Sequence, residues 1–375
     1  MRKIVGFVIG LCLFLTACED SNSVKPSSEP GSDLNNESYD SADKMAVTPL
    51  LVPNRDQIQF VDWISNEEVI YIDHKNKEST ILKYHLSVGE KTPLFVTPGF
   101  VQHAEVSPDR DQLLIQYSSK ENEATLTILD LSGKVTATIT IPSVEIYINW
   151  NQLNQSKILV TAFSKDWSYQ SYIWNTGTQQ LEQIKLKQPF AEWGDVNSFH
   201  YLDWKDNQPS LLAPLKQDDL SGEITTLSEE VYYAKSFGEW YFTLSPSKIS
   251  ENKGTYQFYR PNGNALSEIE VFHLNSYSEW LVPFYDNPDD KNEFFFFQPI
   301  EGGTADLYNQ GFLLTSYQIE TGESKILMEG LENLPIECSP NGSYCMYGYQ
   351  LENILLINEQ KIVPLLKEEN EKTDA

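Results

Sequence analysis

A short unit of β-forming residues recurs along this chain, and its spacing constrains the fold more than any other feature. In each copy an apolar run ends in Trp or another hydrophobic residue, a polar or Ser-Pro-Asx turn follows, and a second apolar run begins. The first run ends at Trp63, Val106, Trp150 and, more faintly, Trp204, so the intervals are 43, 44 and 54 residues. Propeller blades, each a sheet of four antiparallel strands, need about 40 to 50 residues. The spacing therefore predicts a β-propeller over residues 51–367.

Each unit ends in a hairpin whose turn usually contains Gly, which gives a second way to count the blades. Clear copies begin at residues 84, 128, 173, 258, 317 and 356, and residues 219–224 are a possible seventh copy. The stretch from Trp204 to Trp240 has too few recognisable strands for a full blade. The sequence therefore favours an all-β fold of six four-stranded blades with an insertion in the fourth, and leaves seven blades as the alternative.

The first 17 residues have the pattern of an export signal peptide. Arg2 and Lys3 precede an apolar run from Ile4 to Leu15, which is too short to cross a hydrocarbon core of about 30 Å. The order Leu-Thr-Ala-Cys at residues 15–18 resembles the lipobox of bacterial lipoproteins. That resemblance implies a diacylglyceryl group on Cys18 and anchoring at the extracytoplasmic face of the cell membrane. An ordinary cleaved signal with an incidental cysteine is the alternative.

The segments that flank the predicted propeller are polar. Residues 18–50 are rich in Ser, Asn, Asp, Glu, Pro and Gly, and offer little to bury. We expect a disordered tether there, and a flexible chain of roughly 30 residues reaches about 30 Å. Residues 368–375 form a polar tail.

The charge and the motifs exclude several classes of function. With 27 Lys and Arg against 54 Asp and Glu, the net charge of -27 would repel a phosphate backbone, so no nucleic acid is expected as a partner. The sequence contains no nucleophile elbow, phosphate-binding loop, His-Glu-x-x-His or Cys-x-x-Cys motif. The acidic run at 286–293 lacks the spacing of a calcium loop and indicates a solvated turn. We therefore assign no catalytic residue, metal ligand or cofactor, although the sequence leaves open whether any catalysis occurs.

Aromatic and acidic residues in predicted loops are the best candidates for binding. Trp167 and Tyr169 lie between the second and third strands of a blade, whereas Trp193 and Asp195 lie between two blades. A longer loop contributes Asp306 and Tyr308. Both classes of loop emerge on one face of a propeller, where such rings could stack on a sugar or hold a cationic peptide. The alternative is that these loops only cover the hydrophobic blade edges.

Cys338 and Cys345 are the two thiols that remain once the signal and Cys18 are set aside. A turn between them can bring the two residues opposite each other across a hairpin, where a disulfide could form in an exported protein. Two buried free thiols are the alternative.

The Ser-Pro-Asx turns, the Trp at the inner-strand ends and the Gly-containing hairpins resemble the propellers of TolB and of the prolyl oligopeptidase superfamily. With the lipobox and the acidic tether, the whole chain resembles the YqgU-like lipoproteins of Bacillus-type bacteria. The resemblance supplies no catalytic residues. Because the sequence also contains no recognisable catalytic constellation, it favours a non-catalytic propeller that binds or scaffolds an envelope protein, peptide or glycan. A glycan- or phosphoester-active enzyme is the alternative, and it would require paired carboxylates in the channel.

Overall fold

Short runs of β-branched and aromatic residues, separated by turns, form strands throughout the chain. The computed structural model describes residues 46–75, 77–205, 210–276, 279–288 and 292–369. Within these ranges the strands form seven four-stranded sheets in which every neighbouring pair is antiparallel. Each sheet is one blade, and its first strand is the inner strand. The signal peptide, Cys18 and most of the predicted tether lie outside the described residues.

The first three blades follow one another without interruption along the chain. The chain enters through β1 (Leu50–Val52). Blade 1 consists of β2 (Ile58–Trp63), β3 (Glu68–Lys75), β4 (Glu78–His85) and β5 (Glu90–Thr97). Blade 2 consists of β6 (Val101–Val106), β7 (Gln112–Tyr117), β8 (Glu123–Asp130) and β9 (Val135–Pro142). Blade 3 consists of β10 (Glu145–Trp150), β11 (Lys157–Phe163), β12 (Tyr169–Asn175) and β13 (Gln180–Ile184).

Blades 4 and 5 occupy the part of the chain that is hardest to interpret from sequence. Blade 4 consists of β14 (Glu192–Trp193), β15 (Ser198–Leu202), β16 (Ala213–Asp219) and β17 (Ile224–Val231). Blade 5 consists of β18 (Tyr233–Ser236), β19 (Tyr241–Pro246), β20 (Lys253–Tyr259) and β21 (Ala265–Phe272). Two short strands follow, β22 (Leu274–Ser276) and β23 (Glu279–Trp280).

The last two blades complete the ring. Blade 6 consists of β24 (Tyr285–Asp286), β25 (Glu293–Pro299), β27 (Phe312–Gln318) and β28 (Ser324–Leu331), and its loop carries β26 (Gly303–Thr304), which pairs with β22. Blade 7 consists of β29 (Ile336–Cys338), β30 (Tyr344–Tyr347), β31 (Asn353–Leu356) and β32 (Lys361–Pro364), and the chain continues into β33 (Leu366–Glu368). Among the described residues no helix is long and apolar enough to cross a membrane.

The prediction of an all-β propeller built from four-stranded antiparallel blades is confirmed. Seven such sheets occur in the described part of the chain, which is the alternative that the sequence leaves open. The sequence pattern misses the start of blade 4, because the inner strand of that blade is only two residues long and lies before Trp204. Trp204 does not end an inner strand; it follows β15 and is 39% exposed. The inner-strand end of blade 4 is Trp193.

All seven outer hairpins share one backbone feature. A residue with positive φ lies just before the outer strand, and it is Gly in five blades and Gln in two: Gly89, Gly133, Gln179, Gly222, Gly263, Gly322 and Gln360. Glycine is favoured there because a side chain is disfavoured in the left-handed region. The possible seventh hairpin is a true copy. Asp219 accepts hydrogen bonds from the amides of Ser221 and Glu223, just as Asp130 does from Ser132 and Lys134.

The two ends of the propeller meet in a parallel pair of strands. β1 pairs with β33, with Leu50 opposite Leu366. These leucines share a hydrophobic cluster with Trp63 of blade 1 and Ile354 of blade 7. Within the described ranges no strand is exchanged between blades 1 and 7, so this pair and its cluster close the ring. The predicted boundaries at 50/51 and 367/368 fall within this closure. The amide of Thr48 donates to the carbonyl oxygen of Leu86, and the amide of Glu369 donates to that of Val52, so the contacts of the propeller extend slightly beyond both boundaries.

Cys338 and Cys345 lie directly opposite each other on β29 and β30, and their sulfur atoms are bonded at 2.02 Å. Both residues are buried in the cluster between blades 6 and 7. The closed loop of 8 residues is short, so chain entropy limits the stabilisation to about 2.5 kcal/mol.

We expect a Cys338→Ala, Cys345→Ala variant to lose about 2 kcal/mol of unfolding free energy, because it lacks the constraint on the unfolded chain. Urea titrations with and without dithiothreitol measure the effect. Reductant should lower the midpoint of the wild type and leave that of the variant unchanged. If dithiothreitol left the urea midpoint of the wild type unchanged, the disulfide would not contribute to the unfolding free energy.

Candidate ligand-binding site at the centre of the propeller

The inner strands follow one another around the axis: β29 contacts β2 and β24, β2 contacts β6, and β14 contacts β10 and β18. In six blades the next-to-last residue of the inner strand is polar, and in blade 6 the last residue takes that place. We call these residues the axial ring: Asp62, Glu105, Asn149, Glu192, Lys235, Asp286 and Glu337. The residue after each of them is buried between blades in most cases, as Trp63, Trp150 and Trp193 are. Because side chains alternate along a strand, the ring residues face away from that core.

Hydrogen bonds between neighbouring blades show that the ring positions are equivalent. Three ring side chains accept a hydrogen bond from the backbone amide that follows the ring residue of the next blade. Asn149 accepts from the amide of Trp193 at 2.8 Å, Glu192 from that of Ser236 at 3.0 Å, and Asp286 from that of Cys338 at 2.6 Å. The axial ring thus also ties adjacent blades together.

The ring carries an excess of negative charge between blades 6, 7 and 1. Burial, and then the nearby Asp62 carboxylate, raise the pKa of Asp286 to about 7. Burial raises the pKa of Glu337 as well, and Asp286 and Asp62 add to the rise. Asp62 itself faces the guanidinium of Arg110 at 3.2 Å. One carboxylate is therefore neutralised by a cation, whereas its two neighbours hold protons more tightly than ordinary carboxyl groups.

The opposite side of the ring has a balanced charge. Lys235 Nζ lies 2.8 Å from Glu192 Oε1. Burial alone would lower the pKa of Lys235, but the adjacent Glu192 carboxylate and Tyr147 outweigh that effect and the pKa is raised. The lysine therefore stays charged. Among the described residues no group of three or more His, Cys, Asp or Glu side chains is arranged to hold a metal ion.

A pocket of about 290 Å³ opens beside this ion pair, between the inner strands of blades 3, 4 and 5. Its walls are rich in aromatic side chains, and Gln188, Glu192, Ser236 and three tyrosines contribute polar groups. The residues that line it include Tyr147, Phe190, Glu192, Trp204 and Tyr233. His200 also lines it, and burial lowers the pKa of this histidine to about 4, so the ring is neutral at pH 7. We call this cavity the mouth pocket. It has the composition of a small-molecule site.

A row of four aromatic rings leads from the mouth pocket to the rim of blade 3. Tyr147 packs edge-on against Phe190 with 5.6 Å between ring centroids, and Phe190 stacks on Phe163 at 5.5 Å. Phe163 in turn contacts Trp167 at 6.1 Å. Phe190 and Trp167 are 64% and 66% exposed. Large aromatic side chains that remain in water beside a pocket are typical of binding surfaces.

The structure places Trp167 and Tyr169 as the sequence predicts, at the turn between β11 and β12. This turn lies on the upper face, which we define as the face that carries the loops between second and third strands and the loops between blades. The Tyr169 hydroxyl donates to the carbonyl oxygen of Leu186 at 3.0 Å. Tyr169 thus holds the loop that carries Phe190, and Trp167 ends the aromatic row.

The prediction that Trp193 lies in a loop between two blades is wrong. Trp193 lies on β14, is only 3% exposed, and donates from Nε1 to the Asn149 carbonyl at 3.1 Å. It is the blade 4 counterpart of Trp63 and Trp150, so its role is packing between blades. Asp195 follows Trp193 in the turn to β15. This turn lies on the lower face, the one opposite to the upper face, and the Asp195 carboxylate accepts a hydrogen bond there from the amide of Asn197 at 2.6 Å.

Asp306 and Tyr308 are on the upper face but belong to blade 6, three blades from the aromatic row. Asp306 is exposed on a 3-10 turn. The Tyr308 hydroxyl accepts from the amide of Ile300 at 2.8 Å and donates to the Gly311 carbonyl. That hydroxyl braces its own loop. The structure therefore does not bring these two residues together with Trp167 and Tyr169.

Sequence reasoning missed the residues that form the mouth pocket. Tyr147 and Glu192 lie on inner strands, and Phe190 lies in the linker before blade 4. One signal was available: Trp193 follows Trp150 by 43 residues, which is the interval of the preceding blades. That interval identifies Glu192 as the ring residue of blade 4. The acidic run at 286–293 also differs from expectation, because its first residue is a partly buried member of the ring rather than part of a solvated turn.

Several known proteins resemble most of this chain. It is 24% identical to the uncharacterized lipoprotein YqgU of Bacillus subtilis (strain 168) over 373 residues, which is 99% of either chain. The crystal structure of the uncharacterized protein lmo1340 from Listeria monocytogenes EGD-e has a TM-score of 0.79 at 20% identity, and covers 87% of this chain and 99% of that one. The propeller domain of the trilobed protease from Pyrococcus furiosus, described as an open velcro topology, has a TM-score of 0.54 at 15% identity, over 82% and 97% of the two chains.

The model of the YqgU-like 6-bladed beta propeller domain matches residues 85–348. This span contains blades 2 to 6 in full, with the last strand of blade 1 and the first two strands of blade 7. The family description thus counts six blades, whereas seven sheets are present in the described residues of this chain. At the level of the fold, the resemblance to prolyl-peptidase-type propellers is confirmed by the acylaminoacyl peptidase of Pyrococcus horikoshii, whose structure has a TM-score of 0.51 at 15% identity, over 77% of this chain and 48% of that one. This chain belongs to the YqgU-like propeller family.

Proposed function

We propose that this protein is a lipid-anchored, non-catalytic binding propeller that engages an extracytoplasmic ligand through the mouth pocket and the aromatic row. One observation carries the proposal: a pocket of about 290 Å³ with aromatic walls lies beside a paired Glu192 and Lys235, and exposed rings continue from it. Binding sites commonly combine an apolar cavity with a few polar groups that fix the orientation of the ligand.

The proposed membrane anchor agrees with this arrangement. The relative from Bacillus subtilis is named a lipoprotein, and the Leu-Thr-Ala-Cys motif at residues 15–18 supports lipidation of Cys18. Thr48, close to the first described residue, contacts Leu86 and Ser87 in the turn between the third and fourth strands of blade 1. That turn lies on the lower face. Thr48 therefore lies on the face opposite to the one that carries the aromatic row.

Crosslinking in intact cells tests the proposal. We compare the wild type with a Phe190→Ala, Trp204→Ala variant, and with Tyr349→Ala as the matched control, because Tyr349 is 79% exposed on the upper-face loop of blade 7. Wild type and control should capture the same envelope component, and the pocket variant should lose it. Capture that survives in the pocket variant, at equal thermal stability, would contradict the proposal.

A second candidate function is favoured by the carboxyl groups of the axial ring. The pKa of Asp286 is raised to about 7, whereas Asp62 is paired with Arg110. A proton donor beside an ionised carboxylate is the arrangement that glycoside hydrolysis uses. If the protein is an enzyme, Asp286→Asn should abolish hydrolysis of a glycan substrate and leave binding at the mouth pocket intact. A variant that retains full hydrolytic activity would exclude a catalytic role for Asp286.

A further inference from the structure

We infer that the mouth pocket takes one ring of an uncharged saccharide, whose neighbouring units lie along the aromatic row. The inference rests on the proposed function and adds the chemical class of the ligand. Three features support it: flat exposed aromatic surfaces, hydrogen-bonding groups whose charges are already balanced, and a cavity of limited size.

The aromatic surfaces match the apolar faces of sugar rings. Tyr147, Phe190 and Trp204 line the pocket, and the row continues through Phe163 to Trp167. A pyranose ring presents C–H groups on its faces and hydroxyl groups around its edge. Aromatic faces carry partial negative charge and attract such C–H groups, and they remove apolar surface from water when covered. Outside the pocket this surface is offered by Phe190 and Trp167, which are 64% and 66% exposed and both pack against the buried Phe163.

The polar groups of the pocket suit hydroxyl groups better than a charged ligand. Glu192 Oε1 accepts from Lys235 and Oε2 accepts from the amide of Ser236. Each carboxylate oxygen has two acceptor sites, so one site on each oxygen remains available for a ligand hydroxyl. The charge of Glu192 is matched by Lys235, and His200 is neutral at pH 7 because burial lowers its pKa to about 4. The charge of Lys235 would therefore repel a cationic ligand, and the pocket lining has no unpaired carboxylate that would offset this repulsion.

The size of the cavity sets how much of the ligand it can hold. Pockets for whole drug-sized ligands measure about 300 to 1,000 Å³, and the mouth pocket lies at the lower limit. It is thus adequate for a single ring with its substituents. The exposed Phe190 at the rim and Trp167 at the end of the row place the remaining contacts outside the cavity.

Titration calorimetry on the folded protein tests the inference. The probes are neutral oligosaccharides of one to six pyranose units, with and without N-acetyl groups, and the comparison ligands are tetramethylammonium and a lysine-rich peptide. We expect saturable saccharide binding that is insensitive to added salt. Phe190→Ala and Trp204→Ala should each raise the Kd about tenfold, whereas Tyr349→Ala leaves it unchanged. Trp204→Phe, which keeps a stacking surface, should retain most of the affinity.

Each remaining outcome overturns the inference. Saccharide binding that survives both alanine substitutions would place the site elsewhere. Failure of every saccharide to bind, or salt-sensitive binding of the cationic ligands that is lost in the pocket variants, would exclude an uncharged saccharide as the ligand. If the cellular crosslink still depends on Phe190 and Trp204 in that case, the proposed binding function stands without the saccharide. If the crosslink does not depend on them either, both proposals fail.

Discussion

Truncation of the chain after Pro364 is expected to cost at least about 5 kcal/mol of unfolding free energy. The truncation removes β33, whose pairing with β1 closes the ring, together with Leu365 and Leu366, which are 0% and 1% exposed. Replacing one buried leucine by alanine costs about 2 to 5 kcal/mol, and the truncation removes two of them. Because a whole domain is stable by only about 5 to 15 kcal/mol, we expect much of the truncated protein to be unfolded at 37 °C.

Single substitutions separate the closure from a general effect of shortening the chain. Leu366→Ala should lower the unfolding free energy by about 3 kcal/mol in urea titrations. Ile362→Ala is the matched control, because Ile362 lies on the outermost strand of blade 7 and is 49% exposed. Its loss should stay below about 1 kcal/mol. Equal losses in the two variants would contradict the closing role of β33.

Asp286→Asn is expected to stabilise the protein at pH 8 by as much as about 4 kcal/mol. The wild-type side chain is partly buried, and burial followed by the Asp62 charge raises its pKa from 3.8 to about 7. Holding it ionised in the fold therefore costs free energy. Asparagine removes that charge and retains an oxygen that can accept the hydrogen bond from the Cys338 amide.

The sign of the pH dependence follows from the direction of this pKa shift. A carboxyl group whose folded-state pKa is raised contributes stability that is fully present below pH 4, and that contribution is lost as the pH rises through about 7. The stabilisation by Asp286→Asn should thus be large at pH 8 and close to zero near pH 4. Urea titrations at both pH values measure the difference between variant and wild type, so the contributions of titrating groups that do not interact with Asp286 cancel.

Asp306→Asn is the control for this prediction. Asp306 is on the same blade and is exposed, so its substitution should change stability little at either pH. If Asp286→Asn gave the same gain at both pH values, or destabilised the protein at pH 8, the ring carboxylates would not carry the electrostatic cost that we assign to them. A cost of this kind, retained at the centre of a fold, is a common property of functional sites.

The outer hairpins of the blades were predictable from sequence because their signals are local. The turn at Asp219–Glu223 has the same Asp, the same αL glycine and the same backbone hydrogen bonds as the turn at Asp130–Lys134. Cys338 and Cys345 face each other across one hairpin, so their pairing also depends on a short segment of sequence. In each case the interacting residues are fewer than about ten apart, so a short window of sequence contains the whole structural element.

The inner strands were less predictable, because two of them have only two residues. Glu192–Trp193 and Tyr285–Asp286 are too short to show an alternating pattern, and they are strands only because β15 and β25 pair with them. For this reason the sequence pattern assigns the end of an inner strand to Trp204 and places Trp193 in a loop. Tertiary pairing, and not local propensity, decided which tryptophan packs between the blades.

The sequence by itself determined an all-β repeat with a fixed spacing, the hairpin turns and the candidate lipidation motif at residues 15–18, since each depends on neighbouring residues. Only the tertiary structure decided that seven ring residues meet around one axis, that Tyr147, Phe190 and Trp204 line one pocket, and that β1 and β33 close the propeller. These contacts join residues from tens to hundreds of positions apart. They form because closing the ring places the inner ends of all blades together, and no local pattern encodes that event.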